Sequence, residues 1–223
     1  MDRELFRTAM VKFFAGLLAV GALVFLPAGS FAYWQGWLLL GVLFVPMFFA
    51  GLVMMAKDPA LLRRRLNARE EQSEQKKVIA LSGGMFLCAF VLAGLNFRFG
   101  WITTPRWVVW GATAVFLLGY ALYAEVLREN TWLSRTIEVQ ERQQVVDTGL
   151  YGVVRHPMYA ATVLLFMSMP LILGSPLSLA VMLLYLPLIA RRIRNEEEVL
   201  EQGLAGYAEY KKRVRYRLIP GIW

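Results

Sequence analysis

The chain has 223 residues, of which 58% are hydrophobic and 18% charged, with a mean hydropathy of +0.49. So much apolar residue, gathered in long blocks, excludes a water-soluble globular domain and indicates an integral membrane protein. The net charge of +8 fits basic loops facing anionic headgroups, not nucleic acid.

A bilayer core of about 30 Å needs roughly 20 apolar residues of helix, and four blocks meet that length in turn: 9–28, 33–56, 78–97 and 105–127. Lipid leaves no water for unpaired backbone groups, so each block is expected to be helical. The first follows a short basic N-terminus and lacks a small-residue cleavage pattern, so it reads as a retained span, not a removed signal peptide. Cys88 lies inside the third block and reads as packing; a single cysteine offers no disulfide framework. A fifth block, 158–190, is too long for one straight span and carries Pro170, then Gly174-Ser175-Pro176, then Pro187. The expectation is a hairpin of two shorter helices turning at Gly174–Pro176.

Lysine and arginine set the orientation. Arg3, Arg7 and Lys12 precede the first span, and the segment 57–77 carries Lys57, Arg63, Arg64, Arg65, Arg69, Lys76 and Lys77. Arg128, Arg135, Arg142 and Arg155 follow the fourth span, and the tail is basic from Arg191 to Arg217. The turn near 30 and the Gly174 turn have none, and the turn near 100 has Arg98 and Arg106. Both termini are therefore expected in the cytoplasm, with the hairpin entering and leaving from that side. The fold expected is all-α: a polytopic transmembrane bundle of four spans (1–128), the hairpin and an amphipathic tail helix packed over the cytoplasmic mouth. Residues 1–223 form one membrane domain, and 143–223 its cofactor-binding catalytic region.

The residues that suggest chemistry lie in Gly149-Leu150-Tyr151-Gly152-Val153-Val154-Arg155-His156-Pro157-Met158-Tyr159. Proline suits the first position of a helix, so a helix is expected to start at His156-Pro157 with free backbone N–H groups. With Arg155 beside it, that start suits a carboxylate or phosphate, and Tyr151 and Tyr159 offer aromatic faces for an adenine or a cation. Each residue alone also fits a plain interfacial anchor. Glu196, Glu197 and Glu198 follow the hairpin, next to Arg191, Arg192 and Arg194. They fit a solvated helix with weak ion pairs, but the hairpin returns them to the face that carries His156. A helix start opposite carboxylates is a bipolar site, suited to an amino acid headgroup on a nucleoside.

Other chemistries lack their residues. One histidine and one cysteine cannot assemble the usual zinc or iron ligand sets, so no metal is expected. Neither G-x-G-x-x-G nor a P-loop occurs. No Ser/His/Asp triad is arguable from spacing, and the first four spans hold few polar residues for a transport path.

In order and spacing, Gly149, Tyr151, Arg155-His156-Pro157-Met158-Tyr159, the hairpin, Glu196-Glu197-Glu198 and Gly206-Tyr207-Ala208-Glu209-Tyr210-Lys211-Lys212-Arg213 resemble the membrane-embedded isoprenylcysteine carboxyl methyltransferases and their relatives, the phospholipid methyltransferases. The resemblance covers roughly 143–223. It implies an S-adenosylmethionine site on the cytoplasmic side of what is expected to be a bacterial inner membrane. By that resemblance His156, Pro157, Met158 and Tyr159 line the cofactor with Arg155, Tyr151 packs against it, and Glu197, with Glu198 beside it, holds its polar end. Gln143, Val145 and Val146 add contacts, although Gln143 and Gln144 depart from the commoner residues, as Ala161 does from glycine. Arg194 or Arg191 is expected near the substrate, and His156, Glu197 and Arg194 are the catalytic expectations.

The acceptor so implied is lipophilic: a prenylated or other small molecule, or a membrane lipid, methylated on a carboxylate or an amine. A sterol-type NADPH reductase is the rival enzyme, because its C-terminal half resembles this family and its tail ends much like Val214–Trp223. A non-catalytic membrane scaffold or transporter is the alternative outside enzymes.

Overall fold

A computed structural model describes residues 3–66, 73–133, 137 and 139–223, with the side chains of 73–75 excepted. Arg69 and Arg135, two of the basic loop residues, lie outside the described residues. The elements run α1 (Arg3–Ala28), α2 (Trp34–Lys57), α3 (Pro59–Leu66), α4 (Ser73–Phe99), α5 (Arg106–Glu129), a single 3-10 turn (Gly149–Gly152), α6 (Pro157–Ile172), α7 (Pro176–Met182), α8 (Tyr185–Gly203) and α9 (Tyr207–Arg213). No strand occurs among the described residues.

The architecture is a polytopic helical bundle. Five helical runs are long and apolar enough to cross a membrane: α1, α2, α4, α5 and the α7–α8 run, with α6 a shorter apolar helix beside them. Their outward faces are oily, as Leu18 at 72%, Leu26 at 76% and Trp107 at 76% exposure illustrate. Side chains so apolar and so exposed belong against lipid, not water.

Two close helix crossings hold the bundle. Gly94 of α4 faces α1 so tightly that a Cβ there would stand 2.8 Å from Ala28 N, Pro27 Cβ and Val24 O. Gly119 of α5 meets α6 in the same manner, its Cβ position 3.1 Å from Leu165 Cγ and 3.3 Å from the Ala161 carbonyl. Small residues let helix backbones approach where lipid supplies no hydrophobic drive between helices. Between these crossings Val24, Tyr33, Leu39, Phe90, Phe116 and Ile172 form the main buried cluster.

The hairpin turns where the sequence places it, but its prolines act differently from expectation. Pro170 does not interrupt α6. It sits in the last turn, and its carbonyl accepts the Ser175 N–H while Leu171 O accepts the Gly174 N–H, with Gly174 at φ +68. That is a Schellman stop, which needs the left-handed conformation glycine adopts without cost. Ser175 caps the next helix and Pro176 fills its first position. The break attributable to Pro187 falls earlier, at Leu183–Leu184. Pro187 cannot donate to the Leu183 carbonyl, which takes the Leu186 N–H instead.

The turn is latched to its neighbours: Thr104 Oγ1 and Asn96 Nδ2 donate to the Gly174 carbonyl at 2.9 and 3.2 Å, and Ser178 Oγ donates to Ala89 O at 2.8 Å. Two further differences concern charged segments. The basic loop after α2 contains α3, whose Leu61 and Leu62 are buried while Lys12 Nζ donates to Leu66 O. The tail is not one helix: α8 ends at Gly203, α9 is a short helix over Tyr207–Arg213, and Val214–Trp223 continues as a strap.

Candidate active site

The site forms where that strap passes the start of α6. His156 is the N-cap of α6 with Pro157 at its first position. The backbone N–H groups of Arg155 and His156 donate to Tyr216 O and Arg217 O, both at 2.9 Å. Before it, Gly149 adopts φ +49, and the Leu150 N–H donates to Glu129 Oε2 at 3.1 Å. These contacts fix Tyr151, whose hydroxyl accepts Asn130 Nδ2 at 2.9 Å and whose carbonyl accepts the Tyr210 hydroxyl at 2.8 Å.

Behind the α6 start lies an ion cluster centred on Glu197, which is only 2% exposed. Its Oε1 accepts Arg155 Nε at 2.7 Å and stands 3.3 Å from His156 Nε2; its Oε2 meets Arg217 Nε at 2.9 Å and Nη2 at 2.8 Å. Lys211 Nζ stands 3.9 Å from Oε2. Arg155 also donates through Nη1 to Val214 O at 2.7 Å and Arg215 O at 2.8 Å. A buried carboxylate is tolerable only when opposite charge and hydrogen bonds replace its lost water, and here both are supplied. The cluster ties three parts of the chain together: the α6 start, α8 and the terminal strap.

In front of it opens a cleft of about 830 Å3, part of it open to solvent. The end of α5 and the segment after it contribute Asn130, Trp132, Leu133 and Ile137, then Gln143 to Val146. Around the α6 start come Tyr151, Arg155, His156, Met158 and Tyr159; α8 and its end contribute Arg192, Glu196, Leu200 and Leu204, and α9 contributes Tyr207 and Tyr210. On this wall the Tyr159 hydroxyl donates to Glu196 Oε2 at 2.5 Å and accepts Arg192 Nε at 3.0 Å. The Tyr159 ring stacks beside His156, centroids 5.7 Å apart.

The tyrosines are neutral polar groups. Burial pushes the phenols of Tyr151, Tyr207 and Tyr210 well above their ordinary value of 10.0, so each retains its proton. The Tyr207 hydroxyl is buried with no hydrogen-bond partner among the described residues. A buried hydroxyl left so costs about 1–3 kcal/mol, and a polar ligand atom in the cleft would satisfy it.

Of the residues singled out from sequence, Gln143, Val145, Val146, Tyr151, Arg155, His156, Met158 and Tyr159 meet on one wall. Pro157 is buried at the first position of α6. Glu197 lies behind the wall in the ion cluster, and Glu196 occupies the wall in its place. Arg191, Arg194 and Glu198 sit on the exposed side of α8, while Arg192 reaches the cleft. Sequence reasoning passed over Asn130, Trp132 and Arg217 as site residues, and it quoted Tyr207 in the family pattern without giving it a role in the cleft. For α8 a signal existed: Arg192, Glu196 and Leu200 recur every four residues, the spacing of one helical face.

Fold and site together define a polytopic membrane protein with a polar, tyrosine-lined cleft at the end of its bundle where the chain is most basic. Residues 107–205 match the phospholipid methyltransferase family. The match runs from α5 through α8, the elements that build most of the cleft. The chain is also 32% identical over 91 residues to Delta(14)-sterol reductase TM7SF2 of Mus musculus, a stretch covering 40% of this chain and 22% of that protein. The matched stretch thus spans about a fifth of the length of that relative.

Proposed function

We propose that the protein is an integral membrane methyltransferase that takes its methyl group from S-adenosylmethionine and transfers it to a lipophilic acceptor bearing a carboxylate, as in an isoprenylcysteine, or an amine, as in a lipid. The observation that carries this function is the make-up of the cleft: tyrosine faces, a carboxylate and guanidinium joined through Tyr159, and a buried hydroxyl awaiting a partner. These suit a ligand that is at once aromatic, cationic and zwitterionic. Tyrosine rings attract cations through their faces, Glu196 suits an ammonium or ribose hydroxyls, and Tyr207 donates to an acceptor atom. His156, Met158, Tyr151, Gln143, Val145 and Val146 complete the cofactor wall. Glu197 acts on the cofactor side indirectly, by holding Arg155 and His156.

S-adenosylmethionine, when bound, supplies a methyl group already activated on a sulfonium, so no metal is required. The chain's own task is to position and to exclude water, a contribution that reaches roughly 7–11 kcal/mol in favourable cases. A carboxylate acceptor needs no general base, whereas an amine does. The cleft lies at the bundle end that carries Arg3, Arg7, Lys57, Lys76, Lys77, Arg142 and Lys212, against Arg98 and Arg106 at the other. Positive charge favours the cytoplasm, which supports cytoplasmic termini and a cytoplasmic cofactor site.

The identity with Delta(14)-sterol reductase favours a second function, reduction of a sterol-type substrate by NADPH. Against it, Arg155 is committed to Glu197 and two carbonyls, leaving less positive charge for a nucleotide phosphate. Titration calorimetry of the purified protein with S-adenosylhomocysteine and with NADPH separates the two: binding of the first alone is expected, and binding of NADPH alone would replace methyl transfer by reduction. Binding of neither would favour a scaffold. Methyl transfer from labelled S-adenosylmethionine into a total lipid extract, read by mass spectrometry, identifies the acceptor.

A further inference from the structure

We infer that the C-terminal turn of α3 is a binding site for one anionic phospholipid headgroup, held by Lys12 and Arg64, and that Arg64 passes its occupancy on to the cleft wall. The site lies outside the cleft and stands whichever ligand the cleft takes.

Helix α3 lies on the basic end of the bundle with its apolar side inward: Leu62 is buried against Leu5 and Met55, with Phe6 and Leu66 packed beside them. Its charges are segregated. Asp58, just before it, is engaged by the Leu61 N–H at 2.9 Å, while Arg63, Arg64 and Arg65 gather in its last turn. There Lys12 of α1 joins them, donating through Nζ to Leu66 O at 2.6 Å. Lys12 stands where the outer face of α1 turns from exposed Arg3 and Arg7 to Val11 and Phe14, which are 63% and 53% exposed. A lysine at that change of character places its ammonium at the level of the headgroup phosphates.

Two of these cations lack a countercharge. Lys12 bonds the Leu66 carbonyl, and Arg64 donates through Nη2 to Thr131 O at 2.5 Å; neither has a carboxylate partner among the described residues. Arg64 is half-buried, and its Nε has no acceptor among the described residues. A carbonyl offers partial charge only. A phosphodiester offers a full charge and several acceptor oxygens, which suit an arginine fork and a lysine together, and basic pockets between helices at a membrane surface take such headgroups. The acyl chains of the same lipid would lie along Val11 and Phe14. Arg64 also makes the site more than an anchor, because Thr131 is flanked by Asn130 and Trp132 of the cleft wall. Asn130 holds the Tyr151 hydroxyl at 2.9 Å and the Trp132 N–H at 3.0 Å, and Trp132 O takes Gln140 Nε2 at 2.6 Å. Arg65 bonds the Tyr123 hydroxyl and lies 5.5 Å from that ring's centroid, so α3 grips the α5 end at two levels. A phosphate that fixes the Arg64 guanidinium thereby steadies the segment 130–132.

The test uses the full chain purified in detergent, with native mass spectrometry to count bound phosphatidylglycerol and phosphatidylcholine. The parent is expected to hold one phosphatidylglycerol about tenfold more tightly than phosphatidylcholine. Lys12→Gln combined with Arg64→Gln should abolish that preference, Arg64→Lys should retain part of it, and Arg3→Gln combined with Arg7→Gln, on α1 but outside the site, should leave it intact. Lys12→Gln alone keeps the Thr131 bond and guards against a folding defect: it should weaken phosphatidylglycerol about threefold with an unchanged unfolding midpoint. In nanodiscs, phosphatidylglycerol should slow hydrogen exchange of the Trp132 and Tyr151 amides about threefold in the parent and not in Arg64→Gln. Equal affinity for the two lipids, or a preference lost equally with Arg3 and Arg7, overturns the site. Displacement by millimolar glycerol phosphate overturns a membrane lipid as its occupant, and lipid binding with unchanged exchange overturns the link to the cleft.

Discussion

Gly149 lies directly against the carboxylate of Glu129, and no side chain at 149 could coexist with it: a Cβ there would fall among the Glu129 carboxyl atoms. The same carboxylate accepts the Leu150 N–H, and φ at Gly149 is +49, so a side chain at the α5 end holds the backbone of the turn carrying Tyr151.

Gly149→Ala is therefore expected to destabilise the site locally. The left-handed conformation alone costs a non-glycine residue about 1–2 kcal/mol, and displacing Glu129 adds to it. Thermal unfolding should fall, and S-adenosylhomocysteine binding should weaken with it, because Tyr151 moves. An unchanged midpoint would mean the turn relaxes freely.

Glu197→Gln removes the one carboxylate of the buried cluster and leaves Arg155 and Arg217 facing each other. Breaking a buried pair in this way costs about 3–5 kcal/mol. Hydrogen exchange should show the Arg155 and His156 amides, bonded to Tyr216 O and Arg217 O, opening first. Replacing Glu197, Arg155 and Arg217 together by Leu, Met and Met is expected to recover much of the loss.

Tyr207→Phe should move stability and binding in opposite directions. Removing a buried hydroxyl that has no partner relieves about 1 kcal/mol in the unliganded protein. If a ligand atom satisfies that hydroxyl, the same change weakens S-adenosylhomocysteine by about three- to tenfold. Calorimetry and thermal unfolding on one preparation check both signs.

Alkaline pH is expected to destabilise the cleft. Burial raises the phenols of Tyr151, Tyr207 and Tyr210 above 10.0, so above about pH 10 the unfolded chain releases protons that the folded chain retains. The folded state then binds more protons, and stability falls as pH rises. Their contribution is fully present below pH 10. Absorbance of phenolate should appear together with unfolding; phenolate appearing in the folded protein would contradict the burial.

The apolar runs made the spans legible, and Gly174 with Pro176 made the hairpin legible, because lipid leaves a backbone few options. Pro170 misled, since a proline in a last turn disturbs little beyond the Phe166 carbonyl. The sequence gathered Tyr151, His156, Met158 and Tyr159 as neighbours of one wall, but it left open which α8 carboxylate joins them. Glu196, Glu197 and Glu198 are about 100° apart on a helix, and only packing decides which faces the cleft and which is buried behind it. Arg192 and Arg194 pose the same problem. Arg217 and Tyr207 depended on a strap and a short helix whose path no local pattern specifies.

The shortness of α6 has a consequence for depth. At 1.5 Å per residue, the 24 residues of α5 rise about 36 Å and the 16 of α6 about 24 Å. The two cross where Gly119 meets Ala161 and Leu165; from there α5 rises about 15 Å to Glu129 and α6 about 9 Å to Pro157, so the first turn of α6, with His156 above it, stops roughly 6 Å short of where α5 ends. The cleft therefore opens beside the end of α5 and not beyond it, and under the function proposed above a greasy acceptor would reach it from the side of the bundle without being lifted out of its own leaflet.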